Sequence, residues 1–107
     1  PQNARKQWIA GLRSEGALAI DDGAVRALRA GRSLLPAGVR RVDGAFGRGE
    51  PVTLLSMDGA AVGAALCAYT AAESRLIAGR QTGEIEGILG YPGRSALAHR
   101  DDMVLWD

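Results

Sequence analysis

The stretch from Asp21 to Val39, DDGAVRALRAGRSLLPAGV, decides how the rest of the chain is read. Just ahead of it, Ala17-Leu18-Ala19-Ile20-Asp21 is short and apolar and is expected as a strand. Asp22-Gly23 punctuates the chain. Ala24, Ala27 and Leu28, with the later Leu34 and Leu35, then recur at helical spacing, while Arg26 and Arg29 fall on the wetter face. Asp21 or Asp22 is placed to cap this helix at its positive end. Gly31 stands just past the helix, where a left-handed residue is wanted. Pro36 stops any continuation, because it lacks the N–H and its ring clashes with the preceding turn.

Working outward, Val39 to Val42 alternates apolar and charged residues, the period of a half-buried strand. Asp43-Gly44 and Gly47-Arg48-Gly49 are turn signals. Pro51 to Met57 and Ala61 to Tyr69 are expected as two strands joined at Asp58-Gly59. Glu73 to Ile77 and Thr82 to Leu89 are expected as short helices ended by Gly79 and Gly90, with Thr82 as the cap of the second. Met103 to Trp106 is a last strand. Ala4 to Ile9 is polar and helix-tolerant, a short lead-in closed by Gly11. The expected fold is therefore α+β, with five or six short mixed strands and two or three short helices. Strand edges this short favour a closed or nearly closed small barrel.

With 107 residues, 47% of them hydrophobic and 23% charged, one core is expected and disorder is excluded. From Pro1 onward no secretory or transit pattern is read, and the longest weakly polar run, Ala60 to Ala68, is far short of the ~20 residues that cross a bilayer. Cys67, the one cysteine, has no disulfide partner and stands as a small hydrophobe or a reactive thiol; a reducing, cytoplasmic setting is consistent with it. The net charge of +1 conceals an uneven spread: eight basic and three acidic residues up to Arg41, then five basic and nine acidic. All but Lys6 of the basic residues are Arg. Either the genome writes Arg and Ala wherever it can, or one face is suited to phosphate or carboxylate.

No catalytic, cofactor-binding or metal-binding constellation emerges. Gly47-Arg48-Gly49 is too short to cradle a phosphate by itself, and one Cys with one His cannot build a zinc site. His99-Arg100-Asp101 matches the start of a protein-kinase catalytic loop, but Trp106 stands where that loop requires Asn. These three residues are instead expected to order the backbone before the last strand. Glu84 and Glu86, two apart on a helix, point in different directions.

Asp21-Asp22-Gly23-Ala24, Ala27-Leu28, Gly31, Ser33-Leu34-Leu35-Pro36 and Gly38-Val39 together resemble the signature of PUA domains, small pseudobarrels named after pseudouridine synthases and archaeosine transglycosylases. Ala4 to Gly11, Gly44-Ala45-Phe46, Tyr69 with Glu73, Ile88-Leu89-Gly90-Tyr91 and His99-Arg100-Asp101 narrow the likeness to the C-terminal domain of bacterial glutamate 5-kinases, over essentially the whole chain. The resemblance implies a module cut from a longer enzyme, with residues 1–10 the lead-in from an interdomain linker and residues 11–107 the domain. It implies a parent that transfers phosphate from ATP, with Mg, to the side-chain carboxylate of glutamate in the first step of proline biosynthesis, through an N-terminal kinase domain. One departure matters: such domains carry Arg-Gly before the Leu of the strand after the hairpin, where this chain has Ala64-Ala65 before Leu66. That weakens RNA binding through this strand.

Two roles follow for a non-catalytic domain. One is regulatory or architectural, through contacts with the kinase domain or with other subunits of a homo-oligomer. The other is RNA binding, as the PUA fold serves RNA-modifying enzymes. Arg26, Arg29, Arg32, Ser33, Arg40 and Arg41 are the candidate contacts, expected to converge near the Gly31 turn, where backbone amides and Ser33 could assist.

Overall fold

In the computed structural model, which describes residues 2–106, five strands pair side by side in the order β2-β1-β3-β4-β5. They are β1 (Gly16–Ile20), β2 (Val39–Gly44), β3 (Pro51–Leu55), β4 (Ala61–Leu66) and β5 (Met103–Leu105). Pro1 and Asp107, which the expected bounds 1–10 and 11–107 include, lie outside the described residues. β1 runs antiparallel to β2 and parallel to β3, while β3–β4 and β4–β5 are antiparallel. The sheet is therefore mixed, as expected, and among the described strands β2 and β5 remain its edges.

Four α-helices accompany the sheet: α1 (Gln2–Ala10), α2 (Asp22–Arg29), α3 (Ala71–Ile77) and α4 (Ile85–Leu89). The additional helix is α1, in the expected lead-in. Ala, Arg, Lys and Gln are good helix formers, and Gly11 closes the helix with its amide on the Gln7 carbonyl at 3.2 Å. α1 packs on β4, β5 and the 3-10 turn Arg100–Asp102, and Ile9 is fully buried.

α2 begins as expected: Asp21 Oδ1 accepts the Ala24 amide at 2.8 Å. It ends at Arg29, earlier than a stripe reaching Leu35 requires. Leu34 leaves the helix to bridge Ala98 and is buried, whereas Leu35 is exposed. Thr70 and Glu73 cap α3 reciprocally, side chain to backbone amide in both directions. The expected Thr82–Leu89 helix divides into a 3-10 turn, Thr82–Glu84, and α4; Gln81 rather than Thr82 precedes it.

Leu18, Ile20, Leu34, Val39, Val52, Leu54, Ile77 and Leu97 fill the core, so it is mainly aliphatic. β3 turns Val52 and Leu54 inward, and β1 buries its last three residues, Leu18, Ala19 and Ile20.

Candidate functional site

The Gly31 turn is the place from which the site is built. Gly31 takes a φ of +86°, and a side chain there would meet no atom within 4 Å, so the left-handed backbone alone explains the glycine. The Gly31 amide donates to the Leu28 carbonyl at 2.9 Å and the Arg32 amide to the Ala27 carbonyl at 3.0 Å. Both amides thus complete the helix end and are not available to a ligand, contrary to the expectation that they assist one. Ser33 Oγ accepts the Arg100 amide at 2.9 Å, so it too holds the backbone.

Beside this turn lies a cleft of about 430 Å³ walled by α1, α2 and β5. Leu28, Met103 and Leu105 make it aliphatic, and Lys6, Arg32 and Arg100 surround it with positive charge. Lys6 Nζ donates to the Met103 carbonyl at 2.7 Å, and the nearby Arg29 donates to the Trp106 carbonyl at 3.4 Å. Among the described residues, neither Arg32 nor Arg100 has a side-chain hydrogen bond or ion pair. Asp101 is the carboxylate on the rim, its Oδ2 lying 3.5 Å from His99 Nδ1. The balance of the cleft is positive, suited to phosphate or carboxylate groups.

The six candidates do not form one patch. Arg29, Arg32 and Ser33 gather at the C-terminal end of α2, and Arg26 is exposed on the same helix. Arg40 instead pairs with Asp21 at 3.0 Å, at the N-terminal end of α2, and Arg41 pairs with Asp43 at 3.0 Å along β2. The β1–β2 register skips Arg40, so Arg40 and Arg41 both lie exposed between buried Val39 and Val42, each held by its own carboxylate rather than by the Gly31 turn. Lys6 and Arg100, missed by sequence reasoning, join the cleft from segments far apart in the chain. Only the packing of α1 against the Arg100–Asp102 turn unites them.

A second cleft, of about 900 Å³, runs past Arg48, Tyr69, Tyr91, Arg94 and His99. Its wall is a tight polar cluster: Arg48 grips both Glu73 carboxylate oxygens, Tyr91 donates its hydroxyl to the same carboxylate, and the guanidinium lies 5.4 Å from the Tyr91 ring centre. The Arg48 hydrogen bond holds the Glu73 carboxyl down at about 2, against the upward push of burial and with help from Tyr91 and the Thr70 amide. In return, hydrogen bonding to Glu73 raises Arg48 and Tyr91.

His99 Nδ1 accepts the Asp101 amide at 3.1 Å, so the His99-Arg100-Asp101 turn orders the backbone before β5, as expected. Ala65, at the departure from the family pattern, is fully buried between Val52 and Met103, so its methyl faces the core. Cys67 is buried beside Ser74 Oγ at 3.6 Å, and burial pushes its thiol up. Among the described residues no three His, Cys, Asp or Glu side chains gather as for a metal, and no helix is long and apolar enough to cross a membrane.

The sequence pattern of the PUA domain matches residues 16–89. The chain is 56% identical over 105 residues to a protein named Glutamate 5-kinase from Dinoroseobacter shibae, covering 98% of this chain and 28% of that protein. It is likewise 56% identical over 106 residues to a Glutamate 5-kinase from Rhizobium leguminosarum, covering 98% and 27%. It thus spans little more than a quarter of the length of these curated relatives. Among solved structures it is similar to a PUA domain of Aeropyrum pernix crystallised as a tartrate complex, at a TM-score of 0.58 and 22% identity over 79% of this chain and 41% of that one. It is also similar to a chain of the archaeal box H/ACA sRNP Nop10-Cbf5 complex, at a TM-score of 0.55 and 15% identity over 86% and 23%. At these identities the structural likeness speaks for the fold alone.

Proposed function

Since this chain belongs to the PUA domain family, we propose that it serves as the non-catalytic PUA domain of a glutamate 5-kinase, with a regulatory or architectural role. The observation that carries this is the identity with curated glutamate 5-kinases along 98% of the chain. The parent transfers phosphate from ATP to the side-chain carboxylate of glutamate, the opening step of proline biosynthesis. ATP and Mg belong to the portion of such enzymes that this chain does not span. The domain's partners are that kinase portion and other subunits of a homo-oligomer. A reducing cytoplasm suits its buried thiol. The test is ATP-dependent glutamate phosphorylation by the parent with and without residues 1–107, together with its sedimentation. Retained phosphorylation with altered regulation or assembly supports the role; unchanged kinetics and assembly sink it.

A second role, RNA binding, is favoured by one observation, the convergence of Lys6, Arg32 and Arg100 on one cleft, with Arg29 on the same helix end as Arg32. Fluorescence anisotropy against a structured RNA, at low and near-physiological salt, tests it. Micromolar or tighter binding with a steep salt slope, reduced by Arg29→Ala and Arg32→Ala, establishes it. Flat curves at both salts leave the regulatory role alone.

A further inference from the structure

Asp-Gly occurs three times in the chain, at Asp22-Gly23, Asp43-Gly44 and Asp58-Gly59. In such a pair the glycine nitrogen can attack the aspartate side chain, because no side chain on the glycine stands in the way. The N–Cγ bond forms, and one carboxyl oxygen leaves as water, carrying the amide proton and the carboxylic proton. Water then opens the cyclic imide at either carbonyl. One opening returns aspartate; the other leaves isoaspartate, with the chain running through Cγ. All three pairs are exposed, so access does not separate them. Restraint does, because the ring closes only if the aspartate backbone turns to bring the next nitrogen onto Cγ.

Asp22-Gly23 opens α2. The Asp21 carbonyl accepts the Val25 amide at 3.0 Å and Asp21 Oδ1 accepts the Ala24 amide at 2.8 Å, so Asp22 cannot leave the helical backbone without undoing the cap. Asp43-Gly44 ends β2, in register with Ala17 and Gly16. Arg41 holds Asp43 Oδ2 at 3.0 Å, and Arg75 of α3 holds the Gly44 carbonyl at 2.6 Å. A side chain at Gly44 would stand 2.8 Å from Gly16 Cα, so this peptide is clamped from both sides.

Asp58-Gly59 has no such hold. It is the tip of the hairpin between β3 and β4, and among the described residues its turn is closed by hydrogen bonds within residues 56–60 alone. Gly59 has a φ of +88°, and a side chain there would meet no atom within 4 Å. Asp58 Oδ1 accepts the Ala60 amide at 3.2 Å, which folds the carboxyl over the Asp58–Gly59 peptide, beside the nitrogen that attacks it. Ser56 Oγ donates to the same oxygen, and this bond, with the Ala60 amide, holds the carboxyl below its ordinary range. The protonated fraction, which loses water most readily, is therefore small. The conversion is slow, a matter of ageing rather than of turnover.

We propose that Asp58-Gly59 is the site at which this chain converts spontaneously to isoaspartate, ahead of its other two Asp-Gly pairs. The isoaspartyl link inserts one more backbone carbon between β3 and β4, two inner strands of the sheet.

The test incubates the unmodified chain at neutral pH, once folded and once unfolded in urea. Each Asp-Gly pair is followed over time by mass spectrometry and by an endoprotease that cuts before aspartate but not before isoaspartate. Expected are comparable rates at all three pairs in urea and, in the folded chain, a rate at Asp58 at least tenfold above those at Asp22 and Asp43. Conversion of Asp22 or Asp43 in the folded chain as fast as that of Asp58 overturns the proposal. So does an Asp58 that stays aspartate for as long as the other two. Rates in urea that already differ tenfold in the same order overturn it as well, because the local sequence and not the turn then makes the choice.

Discussion

Arg48 and Glu73 meet as a two-pronged pair, Nε to Oε1 at 3.0 Å and Nη2 to Oε2 at 2.5 Å, binding the turn before β3 to the first turn of α3. Arg48 is largely exposed, yet Glu73 is mostly covered, and Tyr91 holds the same carboxylate from a third segment. The pair is therefore oriented more firmly than an ordinary surface ion pair.

A pH dependence follows from it. The Glu73 carboxyl lies at about 2 in the folded chain against an ordinary 4.5, so the folded state favours its ionised form. The resulting stability is fully present above the ordinary value and is lost as the pH falls through the folded one. In thermal melts, the deficit of Glu73→Gln relative to the parent chain should be constant above about pH 5 and should close between 4.5 and 2. A deficit unchanged across that window contradicts the assignment.

Cys67 should not react in the native state. Its side chain is fully buried and burial pushes its thiol up, which removes both access and thiolate. A disulfide-exchange reagent at neutral pH is expected to release its chromophore only after denaturant is added. Prompt reaction of the folded chain contradicts this.

Leu28 touches both the core and the cleft beside Gly31, and it is 3% exposed. Leu28→Ala should destabilise by about 2–5 kcal/mol through the cavity it leaves, measured by urea unfolding. A variant that melts like the parent chain shows that α2 is not held by this contact.

Gly31→Ala tests backbone strain without crowding. The methyl meets nothing within 4 Å, but φ is +86°, so a loss of about 1 kcal/mol is expected from the left-handed conformation alone. Gly83→Ala, where the methyl is also unopposed and the backbone is ordinary, serves as the control and should cost less. Equal losses at both positions contradict the explanation.

How much of this was legible in the sequence depends on the distance over which each signal acts. α2 was legible because Asp21 and Gly31 each mark one of its ends through a bond to a residue three positions away. The helical stripe misled at Leu34 and Leu35, since the spacing continues after the helix has stopped and only the Ala98 bridge explains why Leu34 is buried. α1 was read as a lead-in because, among its described side chains, Ile9 alone is fully buried, too little to make an apolar stripe. Arg40 and Arg41 look like members of an Arg cluster until the fold pairs them with Asp21 and Asp43 instead. The cleft was illegible for the converse reason: Lys6 and Arg100 share no local pattern, and meet only after the sheet has formed.

The clasp between Arg5 and Asp102 also bears on how the chain reaches its fold. α1 must wait for β5, because α1 docks on β5 and, among the described strands, β5 pairs with β4 alone. The parallel β1–β3 contact adds another long loop to close. Long-range pairings of this kind slow folding, and here they span almost the whole sequence. Docking of β5 is therefore the step that completes the domain.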